Sequence, residues 1–137
     1  MTINYLAILA AAIASWIAGG LWYGLLGKPW RGALGWTEAD LMGPDGKKRV
    51  PIAPFIISFV AELVMAAMMA GLITHLTGAP NVTAGLVTGA LSWVGFVATI
   101  ILVNNAYQKR RFLLTLIDSG HWLAVLLIQG VVIGLFG

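Results

Sequence analysis

The chain has 137 residues, 60% hydrophobic and 9% charged, with a mean hydropathy of +0.93, and that balance excludes an ordinary soluble domain. Its formal charge of +3 includes eight lysines and arginines, all in two short polar breaks, a placement that suits anionic lipid headgroups rather than nucleic acid. The absence of cysteine excludes a disulfide framework and thiol chemistry.

Four apolar stretches, Ile3 to Leu26, Ile52 to Leu76, Val82 to Ala106 and Phe112 to Phe136, each hold 24 or 25 residues. About 20 suffice to cross a ~30 Å hydrocarbon core. Uninterrupted runs of this length in lipid must be helices, because every backbone amide needs a partner within its own segment and barrel strands would alternate. The expected fold is therefore all-α, a single integral membrane four-helix bundle with spans at about 3–26, 52–76, 82–106 and 112–136.

In the first span, Ala12-Ile13-Ala14 has the small-residue spacing of a signal-peptide cleavage site. No cationic region precedes it, and the apolar run is too long for an h-region, so a permanent span is expected. The break at 27–51 follows, with Lys28, Arg31, Lys47, Lys48 and Arg49. Lys28-Pro29-Trp30-Arg31 reads as the end of the first helix, with a cation and an indole at headgroup level. Thr37 and Asp40 have capping-box spacing, which predicts a short interfacial helix over about 38–42. Gly43-Pro44-Asp45-Gly46 reads as a turn.

The second span carries Glu62 ten residues from its start, ~15 Å deep at 1.5 Å per residue. Ser58, Glu62, Met65 and Met69 share one face. Met65, Met68 and Met69 with His75 raise a soft-metal reading, but helical spacing gathers too few of them, and core filling is expected. Asn81 is expected to cap the third helix. Near the end of that helix, Asn104 and Asn105 either cap the C-terminus or extend a polar cluster towards Asp118. Lys109, Arg110 and Arg111 form the second basic break. The last span carries Asp118, His121, Val125 and Gln129 at helical spacing on one face, with His121 ~14 Å deep and so nearly level with Glu62.

Cations near span ends resist translocation. With every lysine and arginine on one side, both termini are expected outside and the two breaks in the cytoplasm, in a bacterial inner membrane. Small residues four apart bring membrane helices close, and Gly20 with Gly24, Ala66 with Ala70, Ala67 with Gly71, Gly85 with Gly89, and Gly130 with Gly134 have that spacing. These are more faces than one bundle uses, which suggests contact with another chain. A weak repeat, Ser15-Trp16-Ile17-Ala18 against Ser92-Trp93-Val94-Gly95, hints at two parallel hairpins.

Ile3-Asn4-Tyr5-Leu6-Ala7, Gly20-Leu21-Trp22-Tyr23-Gly24 through Lys28-Pro29-Trp30, and Gly35-Trp36-Thr37-Glu38-Ala39-Asp40-Leu41 together resemble the bacterial four-span family catalogued as domain of unknown function 1761. The resemblance implies the architecture and emphasises Trp22, Tyr23, Gly27, Lys28 and Trp30. It implies no catalytic residues, because the family has no established activity.

Two functional classes fit these features, with a third behind them. One is a non-enzymatic bundle that works by assembly, with itself or as a small accessory subunit. Another is a proton-linked transporter of a small solute, in which Glu62 and His121 share a proton if their stripes face each other; a static interhelical hydrogen bond is the plain alternative. The third is a lipid- or quinone-directed enzyme, whose cue would be a cleft joining Tyr23, Lys28, Asn104 and Asp118. No cofactor or metal is expected.

Overall fold

A computed structural model describes residues 4–47 and 52–137; Ile3, Lys48 and Arg49, named above, lie outside them. The described residues form four helices long and apolar enough to cross a membrane: α1 (Tyr5–Leu34), α2 (Ile52–Thr77), α3 (Val82–Tyr107) and α4 (Phe112–Phe136). Their surfaces carry large apolar side chains such as Leu21, Leu25, Ile57, Leu91 and Phe96, the last 72% exposed. A surface of that kind in water would aggregate; against lipid it costs nothing.

Each helix starts and stops for a local reason. The Asn4 side chain accepts from the Ala7 amide at 3.0 Å, and the Asn81 side chain accepts from Ala84 at 2.8 Å, so both are N-caps. α1 runs to Leu34, eight residues beyond the expected end at Leu26. Pro29 lies within it, and the helix stops at Gly35, whose φ of 78° is left-handed. Trp36 then donates back to the Arg31 carbonyl at 2.9 Å, a Schellman-type closure. Length of apolar sequence marks where lipid ends, not where the helix ends. Lys28 and Arg31 are good helix formers, and Pro29 removes a single hydrogen bond.

Among the described residues, the connection from Gly35 onward holds a 3₁₀ helix, Glu38–Leu41, where a short helix was expected over 38–42. Asp40 accepts from the Thr37 amide at 2.6 Å and from its hydroxyl at 3.0 Å. The expected turn at 43–46 closes through the Gly46 amide and the Gly43 carbonyl, 3.0 Å apart.

α4 is the central helix, packed along both α1 and α3, and it contributes Leu114, Ile117, Val125, Leu126 and Ile133 to the interior. At its crossing with α3 the two backbones are in contact. A Cβ added at Gly85 would fall on the Gly130 carbonyl, one at Gly130 on the Gly85 carbonyl, and one at Gly89 within 2.8 Å of the Leu126 carbonyl oxygen. Towards the chain termini, Ile8, Ala11, Ala12, Ala66, Met69 and Ile73 close the core. Met69 thus fills the interior, whereas Met68 is exposed.

Within α3, Trp93–Ala98 is a π-helical segment, for which the sequence carries no clear signal. Its Trp93 indole donates to the Ser119 carbonyl of α4 at 2.7 Å, and the Trp16 indole donates to the Phe55 carbonyl of α2 at 3.1 Å. The two tryptophans of the weak repeat therefore each bind the helix that follows their own.

Candidate functional site

α1 and α4 meet along a polar seam. On α1, Ser15, Gly19, Tyr23 and Gly27 are spaced by four and so share a face. On α4, Asp118, His121, Val125 and Gln129 oppose it.

At the basic end, the Tyr23 hydroxyl donates to Asp118 Oδ1 at 2.6 Å, and the Trp30 indole donates to the same oxygen at 3.0 Å. Trp22, one residue away, donates from its indole to the Ile117 carbonyl at 3.0 Å. The Tyr23 ring lies edge-on to Trp30 at 5.3 Å and against His121 at 4.9 Å. Extension of α1 past Leu26 is what makes this possible, because it carries Trp30 back over Asp118. Gly27 is buried beneath the Arg31 guanidinium, while Lys28 stays exposed.

His121 is buried, and its Nε2 sits where a side chain at Gly19 would begin, 2.7 Å from an added Cβ. Its Nδ1 has no hydrogen-bond partner.

Deeper along the seam, the Gln129 amide donates to the Ser15 hydroxyl at 3.1 Å and to the backbone carbonyl of Glu62 at 2.9 Å. That carbonyl can only accept, which fixes the orientation of the amide. The Ser15 hydroxyl donates to the Ala12 carbonyl at 3.2 Å and also lies within reach of the Glu62 carboxyl. Glu62 is 1% exposed and Gln129 0%. Glu62 Oε1 and Gln129 Oε1 both lack a partner.

The Glu62–His121 pair is not formed: Glu62 meets Ser15 and Gln129, whereas His121 meets Tyr23 and Gly19. Counting depth from each helix start assumes level starts. α2 instead begins beside the middle of α1, where Trp16 bonds Phe55. Asn104 is exposed, with its backbone carbonyl accepting from Gln108 at 3.1 Å. Asn105 donates to Thr115 at 3.1 Å, tying α3 to α4 away from Asp118. The cleft joining Tyr23, Lys28, Asn104 and Asp118 is likewise not formed, since Trp30 occupies the space beside the carboxylate.

Two seam residues escaped the sequence reading of the site: Ser15 and Gly19. Their signal was present as a run of small or polar positions at 15, 19, 23 and 27.

Of the small-residue pairs, Gly85–Gly89 and Gly130–Gly134 lie inside the α3–α4 crossing. Gly20 and Gly24 have nothing within 4 Å of an added Cβ. Gly20 lines a shallow 140 Å³ cleft with Trp16, Ile17 and Phe55.

A family profile with the description "Protein of unknown function (DUF1761)" matches residues 6–134, a range that includes the whole seam. No curated protein matches the chain, and no solved structure matches it.

Proposed function

We propose, for a chain that belongs to this DUF1761 family of unknown function, a non-enzymatic membrane bundle that works by lateral assembly. Its partner is a second copy or another membrane subunit. The observation that carries this reading is the open Gly20–Gly24 strip. Close helix approach in lipid depends on small residues, and among the described residues nothing lies within 4 Å of a Cβ added on this strip, whereas Gly85 and Gly130 already hold α3 on α4. Gly24→Ile is expected to lower the oligomer fraction in gentle detergent at least ~10-fold, equivalent to ~1.4 kcal/mol, with helicity unchanged. An unaltered oligomer would remove the strip from the interface.

The basic breaks orient the bundle in this reading, with both termini outside a bacterial inner membrane and Arg31, Lys47 and Lys109 to Arg111 against anionic headgroups. Lys109 supports it. Its φ of 55° is left-handed, a conformation that costs a residue other than glycine ~1 kcal/mol or more, so a cation stands where glycine would be easier. With no native cysteine, Ala79→Cys should react with an impermeant maleimide on intact cells and Asp45→Cys only after lysis. The reverse pattern would invert the topology.

A second reading, proton-linked transport of a small solute, is favoured by the buried Glu62 carboxyl. In proteoliposomes, Glu62→Gln is expected to abolish proton-dependent uptake while the protein stays folded. Undiminished uptake would exclude Glu62 from the coupling.

A further inference from the structure

The Glu62 carboxyl lies in the core with no ion-pair partner among the described residues. α1 carries no charged side chain before Lys28, and α3 has no titratable one before Tyr107. On α4 the titratable groups are Asp118 and His121. His121 is eight residues from Gln129, ~12 Å along the helix, and lies on the side of the basic end. A bare carboxylate in such a place is costly, and far more so without hydrogen-bond donors. Donors are few: the Ser15 hydroxyl, which lies within reach of the carboxyl, is shared with the Ala12 carbonyl, and the Gln129 amide hydrogens go to Ser15 and to the Glu62 backbone. Two acceptor oxygens, Glu62 Oε1 and Gln129 Oε1, are left buried and unpartnered, and native proteins rarely leave such groups so.

We propose that Glu62, Gln129 and Ser15 form a binding site for one monovalent cation, a proton or Na⁺, held in the core of the bundle. Charge selects the valence. One positive charge neutralises the single carboxylate, whereas a divalent ion would leave a net charge in hydrocarbon. The chemistry selects the class, because the free groups are oxygens and hard cations take oxygen ligands. A proton on Glu62 Oε1 turns that oxygen into a donor and gives the Gln129 oxygen the kind of partner it lacks. Na⁺ satisfies the same oxygens by coordination. Ser15 fits either state, since its hydroxyl can point to Ala12 or turn to the carboxylate.

The site deepens the transport reading but is tested by binding alone. If uptake fails and the cation is still found on Glu62, transport falls and the site stands. Glu38 and Glu62 are the only glutamates, so carbon-13 glutamate in a Glu38→Gln chain makes Glu62 the sole labelled glutamate. Infrared spectra of that protein in lipid are compared in choline and in sodium buffers. A labelled carboxylic-acid carbonyl band in both buffers identifies a bound proton. An acid band in choline replaced by a carboxylate band in sodium identifies Na⁺, and Gln129→Leu, or Ser15→Ala if that variant does not fold, should then raise the sodium needed at least 10-fold. A labelled carboxylate band in choline that sodium leaves unchanged would overturn the proposal, because the core would then hold a bare charge.

Discussion

Gly85→Leu is expected to destroy the folded bundle, with a loss of at least ~3 kcal/mol. A Cβ at this position falls on the carbonyl of Gly130, and the reciprocal Cβ at Gly130 falls on that of Gly85. Both obstacles are helix backbone, which has no alternative rotamer. Relief therefore requires α3 to move off α4, which also parts Gly89 from the Leu126 carbonyl and breaks the 2.7 Å bond from Trp93 to Ser119. Gly32→Leu is the control. It meets nothing within 4 Å, and replacing glycine inside a helix gains up to ~1 kcal/mol of propensity. Circular dichroism during detergent unfolding separates the two. Equal stability of Gly85→Leu and the parent would mean that α3 does not cross α4 at this point.

Asp118→Ala is the second large effect, expected to cost about 2 to 3 kcal/mol through two hydrogen bonds to a charged acceptor. Tyr23 and Trp30 both lose their acceptor, at 2.6 Å and 3.0 Å. The next hydrogen bond from α1 to α4 is then that of Trp22 to the Ile117 carbonyl, about two turns before Trp30. Asp118→Asn keeps an oxygen in place and should cost about half as much, since the charge assistance is lost but the geometry is not. Unfolding midpoints rank the three proteins. A red shift of tryptophan emission in Asp118→Ala reports that Trp30 has swung out. Identical emission and midpoint in all three would show that Asp118 does not hold α1.

Four spans, their helical nature and the Asn81 cap were legible because each depends on a local rule: length against bilayer thickness, backbone satisfaction in lipid, and a side chain bonding three residues ahead. The end of α1 was not. Apolar length reports lipid contact, whereas Gly35 sets the helix end through its backbone conformation, well after the charges begin. The same error hid the site, because only the extended α1 brings Trp30 to Asp118. The polar residues of α4 were identified from spacing, but partners across helices depend on the vertical offset between helices. Glu62 went to Gln129 and Ser15 because α2 starts beside Trp16, and the periodicity within each helix does not encode an offset of that kind. Glycine pairs showed a similar limit. The spacing is the same in Gly20–Gly24 and Gly85–Gly89, and only the packed structure separates the pair used inside from the pair left open.

The assembly account is tested most directly by native mass spectrometry of the full chain extracted gently from its own membrane. The account predicts a defined homo-oligomer or a stoichiometric complex with other membrane chains. A clean monomer, carrying lipid alone, would contradict it.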